Sequence, residues 1–339
     1  MTVQRLKKIG LNTLVTIGVP LGIYLVLKGI IAAAGDTPEF FSKQEWLTLA
    51  YNTVYYGFIA LAVSYNLTSG RFDFSVGATI ILSVIAGGTL AEMVGGGPLV
   101  MLLFMMVTGM VLGTLNGMVY VTLRLPAMVI SLGMAMLFEA IAYGLNDSKG
   151  LRLIGRGDLL IFAKWPNNVI LMICVLVVLI YLLNFTKFGY NTNSLRTGQK
   201  NAVDVGVNEK RNTIACYVIA GALLGMAGAV YFSNFGFIQP KTGLASLPFI
   251  MDAFLPMFIG VSLAKYSDKN IGTFVGAFIQ ASIYQAFIAL GFSISVQQAL
   301  TGAIVLVFLV YLSNSYKIGV HQMFKAKKQA ALEDKSGTG

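Results

Sequence analysis

Long, unbroken apolar runs dominate this chain and leave it few ways to fold. They are about 20 residues each and recur from residue 9 to residue 314. In lipid every backbone N–H and C=O needs an internal partner, so only helices or closed barrels can span. The runs are continuous rather than ten-residue alternating stretches, so the chain is expected to be all-α and polytopic. Composition agrees: of 339 residues 56% are hydrophobic and only 11% charged, where a soluble domain carries about a quarter charged residues.

About ten spans are expected, at 9–34, 46–67, 74–93, 97–123, 126–146, 168–185, 212–234, 246–264, 270–291 and 296–314. An even number places both termini on one side. The start "MTVQRLKK" and the tail "YKIGVHQMFKAKKQAALEDK" are both basic, so that side is expected to be cytoplasmic. With these spans, seventeen lysines and arginines fall inside and six outside, while Lys28 lies in the first span and is expected to snorkel outward. The net charge of +10 therefore points to basic loops at a lipid membrane, not to nucleic acid. The first run is expected to be a retained, peripheral span, too long for a cleaved leader. The chain divides into a single membrane domain, 1–316, and a basic cytoplasmic tail, 317–339. The outer segment 147–167 and the inner segment 186–211 are long enough to hold short elements of their own.

Several chemistries lack their residues. No P-loop, His-Glu-x-x-His or Gly-x-Ser-x-Gly occurs. One histidine and two scattered cysteines, Cys174 and Cys216, argue against a metal site and a disulfide framework. Glu139 and Asp252 are acids inside the expected spans, and each needs a partner or a cavity. A faint repeat, Gly-Thr-x-x-Gly at 113–117 and 272–276, fits either repeated halves or small-xxx-small packing. Asn52 and Tyr56 share a helix face with Tyr55 adjacent, a pattern that fits a polar pathway or ordinary helix packing.

The stretch "SGRFDFSVGATI" resembles the Gly-Gly-x-Asp-Leu-Ser-Val-Gly signature of ribose-type permeases, the membrane subunits of ATP-binding-cassette sugar importers. The resemblance continues through "LPAMVISLGMAMLFEAIAYGL", "FTKFGYNTNSLRTGQKNAVDVGVNEKRNTIACYVIAGALLGMAGAVY" and "GTFVGAFIQASIYQAFIALGFS". Arg71 stands where the signature has its second glycine. The resemblance implies import of a sugar or sugar-like solute by alternating access, in a bacterial cell membrane, with no cofactor on this chain. ATP and Mg would sit on separate ATPase subunits, beside a second permease subunit and an extracytoplasmic binding protein. Import of a nucleoside or a sugar-like signalling molecule, or a stand-alone ion-coupled carrier, are the alternatives. The resemblance also implies that Arg196, Lys200, Ala202, Gly206 and Arg211 belong to an ATPase-coupling loop, with Ala202 and Gly206 packing into the ATPase groove. Arg152 and Arg156 are expected to dock the binding protein, unless they are solvated charges paired with Asp147 and Asp158. Gly70, Arg71, Asp73, Ser75 and Gly77 are expected to form the inner turn into the third span. There Asp73 would cap the helix and Arg71 would reach headgroups or a neighbouring carboxylate.

Overall fold

The computed structural model describes residues 12–35, 42–67, 69–311 and 314. These divide into two compact units, one ending at Gly291 and one starting at Phe292. The first unit holds α1 (Leu14–Ala33), α2 (Lys43–Leu67), α3 (Val76–Met93), α4 (Pro98–Leu123) and α5 (Ala127–Gly144), then the short strand β1 (Leu151–Arg152). It continues with α6 (Asn167–Phe185), α7 (Lys187–Thr197), α8 (Gln199–Asp204), α9 (Glu209–Phe235), strand β2 (Phe237–Ile238), α10 (Pro248–Leu263) and α11 (Lys269–Ala289). The second unit holds α12, Ile294–Tyr311, which exposes Leu306, Val307 and Val310. Each of the ten expected spans has a helix within the described residues, nine of them long and apolar enough to cross a membrane. The exception, α10, has 16 residues. The basic termini and the tail 317–339 lie outside the described residues.

Local chemistry sets the helix boundaries. Pro98 and Pro248 open α4 and α10 at positions where the missing N–H costs nothing. Thr186, Asn208 and Asp268 cap α7, α9 and α11, each side chain accepting from a first-turn N–H. Gly236 ends α9 in the left-handed region that a glycine adopts freely.

The helices pack through small residues. In α4, Gly109 and Gly113 face Gly221 and Tyr217 of α9, and a Cβ at Gly109 would meet the Gly221 carbonyl oxygen. Reciprocally, a Cβ at Gly221 would meet the Gly109 carbonyl. Gly272 and Gly276 of α11 press likewise on Gly260 and Pro256 of α10. Both Gly-Thr-x-x-Gly copies thus serve close helix crossings, the use small-xxx-small pairs have in membranes.

Polar contacts sort the helix ends into two groups. Lys269 Nζ donates to the Ser64 carbonyl (3.2 Å), Asn184 Nδ2 to Asp268 Oδ2 (2.9 Å) and Arg71 Nη1 to Thr213 Oγ1 (2.7 Å). These gather the end of α2, the end of α6 and the starts of α9 and α11. At the other end, Leu151 pairs with Ile238 across β1–β2. Lys28 does not snorkel: it is 3% exposed and pairs with Glu45 at 2.7 Å, since an ion pair between α1 and α2 satisfies its charge without a route to the interface. On the same face α1 packs on α11 through Tyr24 and Phe278.

Candidate functional site

The turn between α2 and α3 is a buried hydrogen-bonded knot. Gly70, at φ +75°, turns the chain after α2. Asp73 Oδ1 then accepts from the Ser75 N–H (2.9 Å) and hydroxyl (2.6 Å). Asn116 Nδ2 reaches across from α4 to Asp73 Oδ2 (3.2 Å) and Ser75 Oγ (2.9 Å). Burial raises the Asp73 carboxyl above its ordinary value, opposed by the bonds from Ser75 and Asn116. Ser75, not Asp73, occupies the N-cap position of α3, and its side chain makes no cap bond. Arg71 corrects the expectation placed on it: at 5% exposure it reaches neither headgroups nor a carboxylate, and donates to Thr213. Gly77 lets the Ser246 carbonyl lie against α3.

A cluster of rings joins α2, α9, α10 and α11. Tyr55 lies 5.4 Å from Tyr56 and 5.6 Å from Tyr231, and Tyr56 stacks on Tyr284 at 5.5 Å. Tyr231 meets Phe249 edge-on, and Lys241 Nζ sits 4.7 Å above the Phe249 ring. Tyr284 Oη donates to Asp252 Oδ1 at 3.0 Å, the partner an acid inside the bundle requires. Tyr55 is buried, whereas Asn52, Tyr56, Tyr231, Asp252 and Tyr284 are half-buried. Asn52 lies one turn before Tyr56 on the same face of α2.

Residues 239–247 have no helix or strand, yet they run deep into the bundle. Leu151, paired with Ile238, fills the space beside Gly88 near the end of α3, while Ser246 packs on Gly77 in its first turn. Those contacts are eleven residues apart, so the segment descends ~16 Å along α3. This descent leaves only 16 residues for α10. Non-helical backbone at such depth needs polar partners. Glu139 of α5 supplies them, its Oε2 accepting from Leu244 N and its Oε1 from Ser246 N, both at 2.8 Å. Leu244 sits at φ +64°, an uncommon left-handed conformation for a residue with a side chain.

The segment 186–211 folds as α7 and α8. Arg196, Lys200 and Arg211 are exposed. Ala202 is 4% exposed and covered by its own chain. Gly206 sits at φ +93° with open space around it, and Val207 N returns to the Ala202 carbonyl at 3.0 Å. Val203 and Val205 face outward at 43% and 81% exposure, as does Tyr190 of α7. At the opposite end Arg152 and Arg156 are exposed. Arg156 pairs with Asp158 at 3.4 Å, whereas Asp147 pairs with Lys149.

Over residues 46–309 the sequence matches the family described as branched-chain amino acid transport system / permease component. The chain belongs to this family. It is a multi-pass membrane permease and a transport component. One relative is the ribose import permease protein RbsC of Bacillus subtilis (strain 168), 26% identical over 298 residues, covering 85% of this permease and 89% of the relative. Another is the autoinducer 2 import system permease protein LsrC of Yersinia pseudotuberculosis serotype O:3 (strain YPIII). It is 25% identical over 312 residues, covering 88% and 87%.

Parts of the permease site escape the sequence pattern. Tyr231, Phe249 and Tyr284 join Tyr55 and Tyr56 from helices far apart in the chain. The Gly276–Gln280–Tyr284 stripe, at four-residue spacing, is the signal that leads to Tyr284. The Glu139 brace joins residues 105 and 107 positions apart, so no local motif announces it.

Proposed function

We propose that this permease is the membrane subunit of an ATP-driven importer for a sugar or sugar-like solute. The observation that carries the reading is the half-buried aromatic cluster of Tyr56, Tyr231 and Tyr284, bridged by Tyr55, with Asp252 bonded to Tyr284. It occurs in a chain that aligns over 85% of its length with a ribose permease. Ring faces stack on the C–H faces of a sugar while polar groups take its hydroxyls. Asn52, Tyr55 and Tyr56 form the wall contributed by α2. Two permease subunits form the pathway, two ATPase subunits that bind ATP and Mg lie below it, and a binding protein delivers solute from the other side.

The 186–211 segment carries motion from the ATPase. Val203 and Val205 are its apolar contact, with Arg196, Lys200 and Arg211 as the polar rim. Ala202 and Gly206 shape the loop rather than touch the ATPase: Ala202 packs inward and Gly206 provides the left-handed turn. Arg152, without the carboxylate that Arg156 has, is the docking charge for an acidic surface on the binding protein.

Reconstitution tests the reading. Purified permease with its co-purifying ATPase, in liposomes supplied with binding protein, should accumulate D-ribose only when ATP and Mg are present on the ATPase side. Accumulation by the permease alone, driven by a proton or sodium gradient, would show it to be a secondary carrier.

A further inference from the structure

Gln280 of α11 is fully buried, and neither its amide nitrogen nor its amide oxygen has a hydrogen-bond partner among the described residues. A buried amide left in that state costs more than an apolar side chain of the same shape. A packing role does not explain it, since methionine would fill the space without the cost.

Its position does explain it. Gly276, Gln280 and Tyr284 repeat every four residues and form one stripe along α11. Both ends of the stripe face α10: Gly276 presses on Pro256, and the Tyr284 hydroxyl bonds Asp252 at 3.0 Å. Pro256 and Asp252 are themselves one turn apart on α10. Gln280 therefore sits in the same seam, one turn from Tyr284, which pairs with Asp252 and stacks on Tyr56. The seam combines a carboxylate acceptor, an amide that can both donate and accept, a phenol hydroxyl and ring faces. A vicinal diol needs an acceptor for each hydroxyl hydrogen and a donor to a hydroxyl oxygen, so these groups match a polyhydroxylated ring.

We infer that Asp252 and Gln280 form a polyol-recognition subsite within the pathway, occupied by adjacent hydroxyls of the solute when the α10–α11 seam opens during transport. The inference rests on the sugar-import reading and names the residues that select for hydroxyls. Gln280 is a specificity residue in this scheme, and Tyr284 positions the Asp252 carboxylate.

The test uses the complete complex of permease, ATPase and binding protein in liposomes, with radiolabelled D-ribose as probe. Gln280→Met keeps the shape and removes both polar atoms, and Gln280→Leu serves as a second apolar variant. Asp252→Asn removes the charge. Each variant should lower the initial rate of ATP-driven ribose uptake by about ten-fold or more, because the solute hydroxyls lose their partner. The Gln280→Met complex should assemble and melt at or above the wild-type temperature. Uptake by Gln280→Met and Gln280→Leu at the wild-type rate would overturn the subsite while leaving the sugar reading intact. A drop in uptake that merely tracks a lower melting temperature in both would also overturn it, assigning Gln280 a structural role. Absence of uptake by the wild-type complex of D-ribose, D-galactose or adenosine would instead sink the sugar-import reading itself, and this inference with it.

Discussion

The Glu139 carboxylate accepts the Ser246 N–H at 2.8 Å, tying α5 to a segment that descends through the bundle without helical hydrogen bonds. Its second oxygen takes the Leu244 N–H at the same distance. Glu139→Ala would strand the buried Ser246 N–H, at about 1–3 kcal/mol, and the half-buried Leu244 N–H. Thermal unfolding in detergent should show a clear loss of stability for Glu139→Ala and a smaller one for Glu139→Gln, which keeps one carbonyl acceptor. Equal melting of all three proteins would show that the brace does not hold the segment.

Glycines at helix crossings and glycines facing open space should respond in opposite senses. A Cβ at Gly221 would meet the Gly109 carbonyl oxygen, so α4 and α9 must separate to admit it. Overpacking of this kind costs about 1–3 kcal/mol, and Gly221→Ala should melt lower than wild type. A Cβ at Gly133 in α5 would meet nothing within 4 Å. Gly133→Ala should therefore be neutral or stabilise by up to about 1 kcal/mol, because alanine favours the helix. Parallel melting curves decide the matter, and a Gly221→Ala protein as stable as Gly133→Ala would refute the close-crossing account.

These contrasts also mark how far the sequence alone reaches. The span positions follow from one-dimensional hydropathy, since lipid forces each apolar run to satisfy its own backbone. The eighth run shows the limit. Residues 246 and 247 are as apolar or small as the helix that follows, yet they belong to the descending segment, which Glu139 holds from far away in sequence. Lys28 makes the same point: its burial depends on Glu45 of the next helix, 17 residues away. Tyr55 and Tyr56 stand out in the sequence as aromatic groups beside an asparagine. Their partner Tyr231 enters only through tertiary packing, Tyr284 has only the four-residue stripe of α11 as its signal, and Asp252 is legible as an acid needing a partner but not as part of that ring cluster.

Arg71 poses a sharper question, because it occupies a position where the resembling signature has glycine. Its Nη1 bonds Thr213 at 2.7 Å, but Nε and Nη2 are buried without hydrogen-bond partners. Replacing a buried, incompletely satisfied charge by an apolar side chain is often neutral or stabilising. Arg71→Met should thus hold stability within about 1 kcal/mol of wild type or raise it. Asn116→Leu, which removes the Asn116 amide from Asp73 and Ser75, should lower stability by about 1–3 kcal/mol. Denaturation of the two variants side by side separates them. A large loss for Arg71→Met would mean that the guanidinium is a principal tie between the inner turn and α9.

In the 186–211 segment, the proposed ATPase contact and the shape of the loop rest on different residues. Val205 is 81% exposed, two residues after the exposed Val203, in the same segment as the exposed Arg196 and Lys200. A charge at the centre of a docking patch must be desolvated on binding, so Val205→Asp should reduce ATPase co-purification by about ten-fold or more. The permease itself should melt as wild type does, since position 205 touches solvent in the isolated chain. Gly206→Ala acts differently: it forces a Cβ into a positive-φ turn, at a cost of about 1 kcal/mol, and should weaken coupling by distorting the loop. Ala202→Trp would disrupt α8 from within, because Ala202 is buried against its own chain. Pull-down of the ATPase, read alongside the melting temperature of each variant, distinguishes the three effects. Full ATPase retention by Val205→Asp would move the docking surface away from the Val203–Val205 patch.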